Sequence, residues 1–81
     1  MPECGEVVRA AAGRDKPGLF AVVGTDGNRV WIADGRRRPL SRPKAKNPRH
    51  LRTTGQILAP AEMATNRELR RALRKRQDTI T

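Results

Sequence analysis

Between Arg36 and Arg52 the chain reads RRRPLSRPKAKNPRHLR, seventeen residues with eight Lys or Arg and no Asp or Glu. Guanidinium and ammonium groups gathered in this way suit one kind of chemistry, the neutralisation of phosphates along a polyanion, where each contact releases condensed counterions. Arg outnumbers Lys here, which fits phosphate recognition because the planar guanidinium forks onto two oxygens while an ammonium acts as a point charge. A run of like charge is ordinarily a solvated face. Three features argue for contact in this one: no carboxylate interrupts it, Pro39, Pro43 and Pro48 stiffen it, and it follows a hairpin able to present it. The candidate phosphate contacts are Arg36, Arg37, Arg38, Arg42, Lys44, Lys46 and Arg49. Asn47 and His50 lie among them as polar groups suited to hydrogen-bonding bases or a ribose 2′-hydroxyl.

Other chemistries find few residues to use. One Cys, Cys4, and one His give neither an internal disulfide nor a ligand set for structural zinc. No nucleophile stands in a recognisable motif with His50, no carboxylates pair across a plausible cleft, and no Gly-rich phosphate loop is present. With 36% hydrophobic residues, one Trp, one Phe and no Tyr, 81 residues can build one small core but not a pocket lined by many apolar side chains. The expectation is a protein that is not an enzyme and takes no metal or cofactor. Its net charge of +10 calls for a polyanionic partner. Nucleic acid fits better than anionic membrane, since no apolar run nears the ~18 residues of a span. The opening MPECGEVV also lacks the charged and apolar regions of a signal peptide. A cytoplasmic protein, monomeric when free, is expected.

The elements that must position these groups are readable on either side of the basic run. Residues 1–35 carry four basic and five acidic side chains and hold the β signals. EVVRA has adjacent valines, LFAVV is a five-residue apolar run, and RVWIA alternates around Val30 and Ile32 with Trp31 on the opposite face. Trp31 is placed either to cover an open end of the fold or to offer a face for base stacking. The GTDGNR segment predicts a tight hairpin in which Gly27 takes a positive φ. The expected core is Val8, Phe20, Val22, Val30 and Ile32 or their alternating neighbours.

Within the basic run the prolines forbid a continuous helix and leave room for short strand pieces, RRPL and HLRTT. The period then changes. Thr65 and Glu68 have capping-box spacing, and Leu69, Ala72 and Leu73 recur at helical intervals, which predicts a helix from about Asn66 to Gln77. Its stripe of Leu and Ala is narrow, so loose docking is expected, and its other faces carry Arg67, Arg70, Arg71, Arg74, Lys75 and Arg76.

The stretch GEVVRAAAGRDKPGLFAVVGTDGNRVWIADG resembles the KOW motif: an opening strand with paired valines, a Gly-centred basic turn, an apolar strand, a hairpin and a third strand ending in Asp-Gly. The continuation RRRPLSRPKAKNPRHL is similar to the basic segment of small bacterial KOW-domain RNA-binding proteins, themselves similar to certain archaeal and eukaryotic large-subunit ribosomal proteins. The resemblance covers roughly residues 5–54 and departs at Lys16-Pro17-Gly18, where a Gly directly after the Lys is more typical. It implies a mainly β fold, a small SH3-like barrel in which RRPL and HLRTT serve as fourth and fifth strands. By position it assigns RNA contact to Arg14 and Lys16 of the first turn. The implied organisation is a barrel over 1–54 with the RNA-binding segment at 36–52, a linker at 55–64, and a basic C-terminal helix and tail at 65–81. The implied partner is RNA, ribosomal RNA in particular, with the ribosome as the assembly. The alternative is a KOW protein-interaction module contacting the transcription machinery.

Overall fold

The computed structural model describes residues 2–11 and 18–80, with side chains through residue 77. Five strands form one antiparallel sheet: β1 Glu6–Ala10, β2 Leu19–Asp26, β3 Arg29–Ala33, β4 Lys44–Lys46 and β5 Leu51–Ile57. The order across the sheet is β4-β3-β2-β1-β5. One helix, α1 (Asn66–Ile80), follows. β1 and β3 coincide with the EVVRA and RVWIA segments. β2 runs past its apolar stretch to Asp26, with a register shift between Val22 and Gly24, and leaves a two-residue loop of Gly27 and Asn28. Gly27 alone of that pair has positive φ, +59°, which turns the hairpin without distorting the strands it joins.

Both faces of the sheet are buried, which explains why β1 and β2 carry unbroken apolar runs instead of strict alternation. On one face Val8, Ala10, Phe20, Val22, Val30, Ile32 and Leu51 form a cluster, four of them completely inaccessible. Among the described residues no helix covers this face, and its burial together with the register shifts in the β1–β5 and β2–β3 pairs implies that the sheet curls over it. On the other face Val7, Leu19, Ala21 and Ala33 pack with Leu58 and with Leu69, Ala72 and Leu73 of α1. The expected core residues fall in the first cluster and their alternating neighbours in the second.

Three expectations need correction. The curled sheet does not close into a barrel, because β4 is three residues long, held between Pro43 and Pro48, and the 3₁₀ turn Pro48–His50 separates it from β5. The segment RRPL is not a strand. Side chains take its amides at Arg38 and Leu40 instead: Asp34 Oδ1 accepts from Arg38 N at 2.9 Å, as it does from the preceding Arg36 N at 2.8 Å, and Asn66 Oδ1 accepts from Leu40 N at 2.8 Å. HLRTT does enter the sheet, beginning at Leu51, since His50 closes the 3₁₀ turn. Finally, α1 is not loosely docked. Leu69 is fully buried, which stabilises by about 1.5–3 kcal/mol, against roughly 0.2–0.5 kcal/mol for an exposed helical ion pair such as Glu68–Arg71. A 15-residue helix is marginal alone, so this packing is what holds it. Thr65 Oγ1 caps its start by accepting from Glu68 N at 3.1 Å.

Phe20 is 3% exposed in the cluster enclosed by the curl, so Phe20→Ala leaves a cavity with no second layer to collapse into it. The expected loss is about 3–5 kcal/mol, enough to unfold much of so small a domain. Urea unfolding followed by circular dichroism measures it, and a cooperatively folded variant of near wild-type stability would show that this cluster is not the core.

Candidate nucleic-acid interface

The basic loop leaves β3 at Asp34 and is shaped before any partner arrives. Asp34 N and Gly35 N both donate to Arg38 O, at 2.9 and 3.2 Å, while Asp34 Oδ1 takes the amides of Arg36 and Arg38. Asp34 thus serves as the internal template of a turn that exposes Arg36 and Arg37 and leaves Arg38 half-buried. A second constraint comes from α1. Arg70 Nη1 donates to Gly35 O at 2.7 Å and Asn66 Oδ1 holds Leu40 N, so the first turns of the helix grip the loop at both ends. Gly35, with φ +78°, lies so close that a Cβ there would come 2.5 Å from Asn66 O. Only glycine allows that approach.

This arrangement gathers part of the predicted set. Arg36, Arg37, Arg38, Arg42 and Lys44, with Pro39 and Pro43, line an open concavity of about 640 Å³, and among the described residues no carboxylate stands in its wall. Arg36, Arg37 and Arg42 are exposed; Arg38 and Lys44 are half-buried. The remaining predicted residues do not line it. Lys46 is 9% exposed, covered in β4 opposite Val30. Asn47, Arg49 and His50 form the 3₁₀ turn before β5, where Asn47 Oδ1 accepts from Arg49 N at 2.9 Å as the cap of that turn. His50 O accepts from Ala11 N at 2.8 Å, which ties the turn to the end of β1. Arg14 and Lys16 lie outside the described residues, as do Gly13, Asp15 and Pro17. Trp31 is half-buried on the sheet face it shares with Ala33, its ring lying 4.0 Å from the position a Cβ on Gly24 would take.

Sequence reasoning left the helix arginines out of the site. Arg67, Arg70, Arg71 and Arg74 line a second concavity, together with Asp34 and Arg36 of the loop. Their i, i+3, i+4, i+7 spacing was visible as a signal for one helix face, but only the docking of α1 shows that this face adjoins the loop.

The arrangement can hold a row of anionic oxygens at Coulombic and hydrogen-bonding distance from several guanidinium groups whose backbone is already fixed. A scan against protein-family models finds no match, and a search of curated proteins finds none either. Among the described residues, no helix is long and apolar enough to cross a membrane.

Gly35→Ala tests how the loop is held. The positive φ costs an L-residue about 1–2 kcal/mol, and the clash with a backbone oxygen on α1 adds to that. Chemical unfolding should register a loss above about 2 kcal/mol, while Gly27→Ala, whose added Cβ meets nothing within 4 Å, loses only the φ contribution of about 1–2 kcal/mol. Equal losses at the two glycines would contradict the close approach of helix and loop.

Proposed function

We propose that this protein binds structured RNA through the basic loop between Asp34 and β4, acting as a ribosome-associated or ribosomal-type protein of the KOW kind. One observation carries the reading: five cationic side chains from Arg36 to Lys44 line one concavity in which no described residue places a carboxylate, on a loop fixed by Asp34, Asn66 and Arg70. Phosphate neutralisation needs cations held near each other, and ordinarily their mutual repulsion spreads them apart. Here the backbone bonds of the turn keep them together, so part of the ordering cost of binding is met in the free protein. The antiparallel order β4-β3-β2-β1-β5 and the curl over one face are compatible with the SH3-like sheet that the KOW resemblance implies. Ribosomal RNA as the target rests on that resemblance. The nucleic-acid class rests on the charge.

If four to six phosphates are contacted, RNA affinity falls with salt at a log–log slope of roughly −3 to −5. Replacing Arg36, Arg37 and Arg38 together with Gln should flatten that slope by about two to three units. The fold should survive, because Arg36 and Arg37 are exposed and the Asp34 bonds use backbone amides that Gln retains. The measurement is a salt titration against ribosomal RNA fragments, with circular dichroism as the folding control. A folded triple variant with the wild-type slope would remove the loop as the binding surface. Cofractionation with RNA polymerase in place of ribosomes, surviving RNase, would redirect the assignment to a protein-interaction module of the transcription machinery.

A further inference from the structure

The arginines of α1 differ in what holds them. Arg76 pairs with Glu62 at 3.0 Å, and Glu62 also accepts from Ala59 N at 2.9 Å, so this ion pair fastens the segment before α1 onto the helix. Arg70 is committed to Gly35 O. Arg71 stands 3.8 Å from Glu68 in an exposed pair of the kind that contributes little. Arg67 and Arg74 complete a stripe with Arg70 and Arg71 about 10 Å long, from the helical rise of 1.5 Å per residue.

That stripe is one wall of a concavity of about 660 Å³, and Leu19, Asp34 and Arg36 stand in the wall facing it. Arg36 also lines the loop concavity, so the two meet at its side chain. Among the described residues that line the second concavity, the one carboxylate is that of Asp34, whose Oδ1 is turned to the amides of Arg36 and Arg38.

We propose that α1 is a second phosphate-binding wall: Arg67, Arg71 and Arg74, joined through Arg36 to the loop concavity, take a further stretch of the same RNA backbone in one continuous track. The inference rests on the RNA-binding reading of the loop. A basic tail that folds only on its target would lose affinity to the cost of ordering. α1 is instead seated by Leu69, Ala72 and Leu73, and its arginines need only settle their side chains. The contact is with backbone, not with stacked bases. Phe20 is buried, Trp31 is half-buried, and the exposed ring of His50 belongs to the turn before β5; none of the three lines either concavity, so neither wall offers an aromatic stacking platform. The ligand class is therefore a phosphate backbone held in a folded RNA, read with little regard to sequence.

The test is the full chain carrying Arg67→Gln, Arg71→Gln and Arg74→Gln, titrated with salt against the ribosomal RNA fragments used for the loop variant. A matched control carries Arg9→Gln, Arg29→Gln and Arg52→Gln, an equal change of charge at residues that line neither concavity. The helix variant should flatten the slope by roughly two units and bind about a hundredfold more weakly near 0.1 M salt, since two units of slope act across one decade below 1 M. The control should keep most of the wild-type slope. A folded helix variant with wild-type slope, beside a loop variant that is flattened, overturns the track and leaves loop binding standing. Wild-type slopes in both variants overturn the track and the RNA reading together. A control as flattened as the helix variant overturns the track by showing that net charge alone sets the slope.

Discussion

The close approach of α1 to Gly35 is the constraint on which the arrangement of the functional surface depends. Leu69, Ala72 and Leu73 bring the helix to the sheet through apolar burial, which is strong but indifferent to small rotations. The directional part comes from Arg70 on Gly35 O and Asn66 on Leu40 N, which fix the helix against the loop at two points. Glycine at residue 35 lets the backbones come close enough for both. Without that contact the domain would still have its curled sheet, but the loop and the helix would carry their charges independently.

Concentrating like charge has an energetic cost that the fold meets locally. At physiological ionic strength, screening acts over about 8 Å, so neighbouring guanidinium groups in one concavity still repel. The chain does not offset this by filling the concavity with carboxylates, which would also repel an anionic ligand. It uses one acid, Asp34, facing backbone amides, and another, Glu62, beside Arg76. Each stabilises the scaffold from outside the loop concavity, whose described lining holds no acid. The sheet then needs no charge compensation of its own, because its two apolar clusters supply the cohesion.

Much of the sheet was legible in the sequence because its signals are local. The valine pair, the alternation in RVWIA, the Asp-Gly hairpin and the capping Thr65 each specify their element from a few neighbouring residues. That both faces would be buried was not read: the composition suggested one small core, whereas the continuous run from Leu19 to Val22 feeds two clusters. What was not legible depends on contacts between distant segments. RRPL reads as a strand by composition, yet Asp34 and Asn66 claim its amides, and Asn66 lies 26 residues from Leu40. Closure of the sheet was expected from the KOW resemblance, with RRPL and HLRTT as fourth and fifth strands, but strand length decides it, and Pro43 and Pro48 restrict β4 to three residues. The helix face carrying Arg67, Arg71 and Arg74 was plain; its place beside Arg36 was not, because three small apolar contacts determine it.

The central claim is that the binding surface is organised before RNA arrives, and amide hydrogen exchange of the free protein tests it most directly. Protection of the Arg38 and Leu40 amides, and of the amides from Arg70 to Arg74 in α1, should approach that of the sheet in the absence of RNA, since each has a fixed acceptor or lies within a docked helix. Arg37 and Arg42 report the contrast between backbone and side chain: their guanidinium groups stay solvated while the turn beneath them is held. Exchange of these amides at unfolded-chain rates until RNA is added would contradict the account, and would mean that loop and helix take their arrangement from the ligand.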